Sequence, residues 1–427
     1  MRSRFLIWVA ISDLASLAFS MVAASLIVFG TVLPWNASTP GPVYPMLFFM
    51  GVSMVATSVL TEQMSGPGVP RPTYGRMVAI WAGTLLFTAG LFFVFRDAYF
   101  SRSFVPLAAT LWLLPATGHR IVRRRRPWTE KFGVITREKQ LADDLHLSDH
   151  AEVVWVLEPD GESPGELPVR DVTLAVDLRS VLSESMAQFL SSCDVAGYSI
   201  RPFSSIYEEH AGRVPLVHLT EGWEISAPLL EVARWLPGKR FFDSLLTLVT
   251  APLWVPIGAL VAVYVKIADP GLALFRQERV GLGGRIFTIY KFRTMDLDAE
   301  RDGARFATER DPRLIRGGSF LRKTRLDEIP QLWNVLKGDM SLVGPRAEQV
   351  PFVSEFRRLI PFYDHRHMVR PGITGWAQVN YGYADDEADT IEKLTYDLYY
   401  IKHMSPVMDL RIFWKSIWTV LTGAGAR

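Results

Sequence analysis

Residues 241–265 read FFDSLLTLVTAPLWVPIGALVAVYV, and the course of this segment decides how the rest of the chain is arranged. Run as one straight helix, a stretch this long and apolar would cross the ~30 Å hydrocarbon core of a bilayer. Pro252 and Pro256 lie inside it, where each removes a backbone hydrogen bond and bends a helix. Lys239 and Arg240 flank one end and Lys266 the other, so positive charge favours neither end. The pattern predicts a re-entrant helix that enters the membrane and returns to the face it came from, with its flanking cations among lipid headgroups.

Which face that is follows from the first quarter of the 427 residues. Apolar stretches at 5–32, 43–61, 77–95 and 103–118 predict four transmembrane helices. The first is too long for the apolar region of a signal peptide, and three more follow it. Arg2 and Arg4 precede the first span, whereas the loop from Trp35 to Tyr44 carries no Lys or Arg. Arg71 and Arg76 occupy the second loop, and His119, Arg120 and Arg123 to Arg126 follow the fourth span. Positive-inside bias therefore places the N-terminus and everything after Arg126 in the cytoplasm; Arg96 and Arg102 in the third loop weaken the pattern without reversing it. A net charge of +2 argues against a general nucleic-acid binder, since the basic run has a membrane-edge explanation. The single cysteine, Cys193, excludes an intrachain disulfide and a multi-cysteine zinc site.

Between the two apolar regions the composition is that of a soluble α/β module. KFGVIT, AEVVWVLE, DVTLAVDL and GYSIRP predict strands, and Arg137 to Leu145 and Val181 to Cys193 predict helices, in an order that suits a small, mostly parallel, Rossmann-like sheet. The turn after the first strand reads ITREKQLAD, with no glycine to let a pyrophosphate approach, so a structural or regulatory role is expected rather than nucleotide binding. Glu158 to Leu167 reads as a loop. The expected fold is thus a helical transmembrane bundle over 1–126, an α/β module over 127–235, and a mixed α/β catalytic domain on the re-entrant helix over 236–427.

In the last of these, the window LRKTRLDEIPQLWNVLKGDMSLVGPR (321–346) sets the carboxylates Asp327 and Glu328 among Arg322, Lys323, Arg325 and Arg346. Taken alone, such a pair is most often the solvated, salt-bridged start of a helix. Among fixed cations it also suits phosphate chemistry: a carboxylate beside a divalent ion attacks phosphorus while Arg and Lys spread the developing charge.

The motifs around that window occur in a fixed order: KRFFD (239–243), DPG (269–271), FRQERVG (275–281), GRIFTIYKFRTM (284–295), DPRLIRGGSFLRKTRLDEIPQLWNVLKGDMSLVGPR (311–346), RPGITGWAQVNYG (370–382) and YDLYYIKHMSPVMDLRIFWKS (396–416). From Lys239 onward the chain resembles the bacterial sugar transferase family, the monotopic phosphoglycosyl transferases. With its N-terminal spans it looks like the larger members, which prime exopolysaccharide, capsule or O-antigen synthesis in the bacterial inner membrane. The resemblance implies transfer of a hexose 1-phosphate from a UDP-sugar to undecaprenyl phosphate, with Mg²⁺ as cofactor and release of UMP. It also implies Asp327 as nucleophile and metal contact and Glu328 as its dyad partner. A straight crossing at 241–265 would carry Asp327 away from cytoplasmic nucleotide sugars, which favours the re-entrant course. The family usually has proline after GPR, where this chain has Ala347.

Lys291, Arg293, Arg322 and Arg346 are the expected phosphate-binding cations, and Arg370 with Trp376 and Tyr381 is expected to orient a uracil ring. Gly281, Gly283 and Gly284 fit either a phosphate-approaching loop or a plain hairpin turn. His365 and His367 have no further soft ligand nearby and predict no metal site. Leu410 to Leu421, with Phe413, Trp414 and Trp418, reads as an interfacial amphipathic helix or as one that packs on the core. A homodimer through the membrane or α/β portion is compatible with the sequence. The rival reading is a non-catalytic membrane scaffold or regulator with a degenerate transferase domain.

Overall fold

The computed structural model describes residues 2–63, 73–95, 99–125, 129–164, 171–219, 235–296, 313–381 and 387–422. The orienting residues Arg71, Arg96 and Arg126, the side chains of Arg2, Arg4, Arg123, Arg124, Arg125 and Trp418, and residues 165–167 of the expected loop lie outside that description. The chain forms two compact units, Met1–Gly212 and Arg213–Arg427.

The first unit opens with four helices, α1 (Arg2–Phe29), α2 (Tyr44–Gln63), α3 (Thr73–Val94) and α4 (Phe104–Arg125). Leu17, Met46, Met50, Met54, Ile80, Phe104 and Trp112 fill its core. Ile7–Asn36, Tyr44–Glu62 and Arg76–Val94 are long and apolar enough to cross a membrane; α4 falls short because its last turns carry His119 and Arg120 among further arginines. A charge cluster that the hydropathy pattern hides joins three of the helices: Asp13, fully buried on α1, accepts from Arg120 at 2.7 and 2.6 Å, from Ser58 at 2.5 Å, and meets His119 at 3.0 Å. Buried charge is tolerated where it is paired and hydrogen-bonded in this way.

The α/β portion follows as β1 (Glu130–Ile135), α5 (Lys139–Asp144), β2 (Ala151–Leu157), β3 (Val172–Val176), α6 (Glu184–Val195), β4 (Ile200–Pro202) and α7 (Phe203–Ala211). All pairings in its β2-β1-β3-β4 sheet are parallel. Alternate residues explain the layering: Phe132, Val134 and Ala175 bury against Phe203 and Tyr207 on one face, while Ile135, Leu174 and Val176 bury against Met186, Phe189 and Cys193 on the other. At the carboxyl ends of β1 and β3, Asp177 accepts from the Arg179 amide at 3.1 Å and from the hydroxyls of Ser180 and Thr136 at 3.2 and 3.4 Å, so this corner is occupied by its own hydrogen bonds.

The second unit begins with Arg213, paired at 2.7 Å with Glu392. Its apolar segment forms two helices, α8 (Trp235–Val249) and α9 (Ala251–Ala268), interrupted at Thr250 with Pro252 in the first turn of α9. The hairpin β5 (Leu274–Val280) and β6 (Ile286–Phe292) turns through Gly283 and Gly284 at φ 64° and 75°; these glycines serve the turn. Then come α10 (Gly318–Lys323), a 3₁₀ turn at Leu326–Glu328, α11 (Gln331–Lys337), β7 (Ser341–Val343), α12 (Val350–Leu359), β8 (Gly372–Thr374), α13 (Trp376–Asn380), α14 (Glu387–Lys402) and α15 (Pro406–Thr422). Parallel β7 and β8 approach so closely beyond Val343 that a Cβ on Gly372 would stand 2.1 Å from the Gly344 nitrogen, which holds the GPR and RPG segments together.

Lys239 and Arg240 do not reach out toward headgroups. Lys239 is buried, 2.7 Å from Asp409 and 3.6 Å from Asp243, and Arg240 donates to the carbonyls of Val335 and Leu336 at the end of α11. They fasten α8 to the domain: Lys239 neutralises two carboxylates, and Arg240 satisfies the terminal carbonyls of α11, where the helix dipole favours a cation. On α15, Met408 and Ile412 are buried while Leu410, Phe413 and Ile417 remain exposed, so the helix packs on the core along one face and presents apolar side chains on another.

Candidate active site

The tetrapeptide Leu326-Asp327-Glu328-Ile329 folds as a 3₁₀ turn, in which residues three apart share a face. Leu326 and Ile329 accordingly pack with Val261, Val265, Phe292 and Leu321, against α9. Asp327 and Glu328 face away from that apolar contact, and both are buried. The turn is entered through Arg325, a non-glycine residue in the left-handed region at φ 56°.

Glu328 is clamped. One oxygen accepts from Lys291 at 3.2 Å and lies 3.7 Å from Arg346; the other accepts from Arg325 at 3.3 Å. Burial alone would raise its pKa, but Lys291, Arg325 and Arg346 together hold the carboxyl well below the usual range. Asp327 has the opposite balance. It carries no hydrogen bond or ion pair among the described residues, and burial followed by repulsion from Glu328 pushes it up to about 6 against the pull of Lys291, Arg322 and Arg325. Burial also draws Lys291 below the ordinary lysine value. The two adjacent acids therefore differ in role: one is a fixed ionised anchor for three cations, and the other is an unpaired carboxylate.

Asp327 opens on a cavity of about 870 Å³, lined also by Lys291, Arg293, Arg322, Arg346, Glu348, Arg366, Lys393 and Asp397. Asn334, fully buried on α11, fixes one wall by donating to the Thr288 carbonyl at 2.7 Å and accepting from the Tyr290 amide at 3.2 Å, which sets β6 and hence Lys291 against the turn. Deeper in, Arg366 donates to Asp397 at 2.8 Å, to the Tyr363 hydroxyl at 2.8 Å and to the Arg346 carbonyl at 3.0 Å. Burial raises Asp397 to about 6 in spite of that contact, and its link through Arg366 holds the backbone of Arg346 in place.

Of the cations expected at phosphate, Lys291, Arg322 and Arg346 line the cavity around Asp327. Arg293 lines it too, but its guanidinium is engaged by the Asp269 carboxylate and by the carbonyls of Asp269 and Leu272, the latter at 2.9 Å, so it secures the turn after α9 rather than offering a free charge. Arg370 and Trp376 do not line the cavity. Arg370 donates to the Gly338 carbonyl at 3.0 Å. Trp376 is 2% exposed, with its ring against Tyr399 at 6.1 Å and under Lys415 at 4.9 Å, so no base can stack on it. Tyr381 likewise stacks on Tyr396 and donates to Asp389. Asn334, Glu348, Arg366, Lys393 and Asp397 entered no site expectation; the i, i+4 spacing of Lys393 and Asp397 was the available signal for the last two.

Among the described residues no three His, Cys, Asp or Glu side chains converge as a metal cage. One unpaired carboxylate beside a polar cavity fits Mg²⁺ nonetheless, because that ion keeps much of its shell as water and substrate phosphate and takes one or two protein carboxylates.

The bacterial sugar transferase family model matches residues 234–423. A UDP-N-acetylgalactosamine-undecaprenyl-phosphate N-acetylgalactosaminephosphotransferase of Aeromonas hydrophila is 43% identical over 307 residues, 71% of this chain and 70% of that protein. A UDP-glucose:undecaprenyl-phosphate glucose-1-phosphate transferase of Escherichia coli K12 is 39% identical over 240 residues, 55% of this chain and 49% of that one, so about half of the latter's length is spanned. The exopolysaccharide production protein PSS of Rhizobium leguminosarum is 38% identical over 190 residues, which are 43% of this chain and 95% of that protein. With its apolar helices, its buried acid pair and these relatives, the chain is a membrane protein of the bacterial sugar transferase family and a phosphoglycosyl transferase.

Proposed function

We propose that the protein transfers a sugar 1-phosphate from a UDP-sugar to undecaprenyl phosphate at the cytoplasmic face of the membrane, in two steps through Asp327, and so starts assembly of a lipid-linked polysaccharide. The observation that carries this reading is the contrast between unpaired Asp327 and clamped Glu328 at one cavity wall.

In the first step an Asp327 oxygen forms a bond to the sugar-bearing phosphorus, and the bond from that phosphorus to the bridging oxygen breaks. The electron pair leaves on the oxygen, so UMP departs as a dianion and Asp327 becomes an acyl phosphodiester of the sugar. In the second step the phosphate dianion of the lipid attacks the same phosphorus and releases the Asp327 carboxylate. Charge balances in both steps without a proton donor. The division lets each anion approach when the other has left, which limits repulsion. Lys291, Arg322 and Arg346 would hold the equatorial oxygens, and Glu328 keeps Lys291 and Arg346 aimed there. Mg²⁺ held at Asp327 with phosphate oxygens would supply further charge neutralisation.

The re-entrant course is supported by the attachment of both arms of the apolar segment to the same unit: α8 through Lys239, Arg240 and Asp243, and α9 through Val261, Val265 and Tyr264, whose hydroxyl donates to the Arg316 carbonyl at 3.0 Å.

The test is UMP release from membranes supplied with undecaprenyl phosphate and a donor panel, with UDP-N-acetylgalactosamine and UDP-glucose first because relatives carry those names. Turnover with at least one donor is expected, and its loss in Asp327→Asn. No UMP from any donor, or near-normal turnover in the variant, would reject the reading.

A further inference from the structure

The cavity holds more cation than one reacting phosphate requires. Past Arg346 lies a second cluster in which Arg279, Arg366 and Lys393 stand against two carboxylates, Glu348 and Asp397. Arg279 is committed to Gln277 at 2.6 Å and to the Ala347 carbonyl at 3.0 Å, and Arg366 to Asp397, Tyr363 and the Arg346 carbonyl. Lys393 differs from both. It lines the same cavity, yet makes no hydrogen bond or ion pair among the described residues; Asp397, one helical turn away, is taken by Arg366. Arg346 is near both groups: it lies 3.7 Å from Glu328, lines the same cavity, and its charge acts on Glu348 and Lys393.

We infer that Lys393 binds the second phosphate of the reaction, whichever phosphate stands in line with Asp327 across the reacting phosphorus: the departing nucleoside monophosphate in the first step and the incoming lipid phosphate in the second. The inference rests on the two-step reading above.

The stereochemistry requires one shared position. The leaving oxygen departs from the face opposite Asp327, and the second nucleophile must approach the Asp327-bound phosphorus from that same face. The phosphate at this position gains a negative charge as the first step proceeds and loses one in the second, so a cation there acts on both transition states. A positive charge on a long flexible stem suits two phosphates that differ in what they carry.

The experiment uses the full-length protein in lipid nanodiscs, with Lys393→Met and Lys393→Arg. Three rates or affinities are read: the UMP burst with UDP-sugar alone, the transfer of label to undecaprenyl phosphate in a chase, and inhibition by UMP. For the Met variant a slowing of both steps by roughly 10–100-fold is expected, with UMP inhibition weakened about tenfold and the melting temperature unchanged; the Arg variant should recover most of both. Unaltered burst and UMP inhibition in the Met variant would overturn the assignment. So would slowing of one step alone, because a shared position cannot serve only one. A wild-type protein that releases no UMP would sink the two-step reading and Lys393's role with it; wild-type turnover beside an unaltered Met variant would overturn Lys393 alone.

Discussion

Asp327→Asn should make the catalytic unit more stable while it stops turnover. Asp327 is 8% exposed, and its carboxyl rises from 3.8 to about 6 because the folded site disfavours the charged form. That rise corresponds to about 3 kcal/mol of folded-state cost once the group is ionised in both states. The folded state holds the proton more tightly than the unfolded state, so the cost is absent below pH ~4, grows as pH rises toward ~6, and is constant above. A neutral Asn escapes it, with a gain of about 3 kcal/mol at pH 8 and about half of that at pH 5. For a unit of this size, 1 kcal/mol moves the melting point by roughly 2–4 °C, so the variant should melt roughly 6–12 °C higher at pH 8. Intrinsic fluorescence melts of wild type and variant, in chelator at both pH values, measure this directly. No rise at pH 8, or an equal rise at pH 5, would refute the claim that Asp327 is an unpaired, buried carboxylate.

On the proposed role of Asp327 as Mg²⁺ contact, proton and metal compete for its carboxylate, so the Mg²⁺ concentration that half-saturates UMP release should rise as pH falls through about 6 and be level above ~7; a Mg²⁺ requirement unchanged between pH 5 and 8 would contradict the elevated pKa. Arg325→Gly and Arg325→Ala lose the same contact with Glu328, but glycine is at ease at φ 56°, so Gly should be the more stable of the two by about 1 kcal/mol in thermal melts; equal stability would mean the left-handed entry carries no strain.

The acid pair and its nearest cations were the legible part of the candidate site. Acids set among cations constrain the options narrowly, and the fold does bring Lys291, Arg322 and Arg346 to Asp327 and Glu328 from separate elements. Trp376 was misread because an aromatic in a glycine-rich segment looks the same whether it faces a ligand or a core. Its ring is covered by Tyr399 and Lys415, which are distant in sequence and which sequence spacing does not reveal. Lys239 and Arg240 were misread for a related reason: cations beside an apolar run resemble headgroup anchors, and their true partners, Asp409 and two helix carbonyls, are distant in sequence. The α/β strands were readable from their apolar runs, whereas the Asp13–Arg120 pair was not, since hydropathy averages a single acid out of a helix of 28 residues.

The corrected role of Arg240 changes how Asp327 is held. The segment Leu326 to Lys337 is attached at both ends to the apolar helix pair: Leu326 and Ile329 seat against α9, and the last carbonyls of α11 accept from Arg240 on α8. Asp327 sits between these attachments, on a three-residue 3₁₀ turn. Its position relative to α8 and α9 is therefore set within the catalytic unit by packing on one side and hydrogen bonds on the other. A change that moves either helix should therefore move the carboxylate.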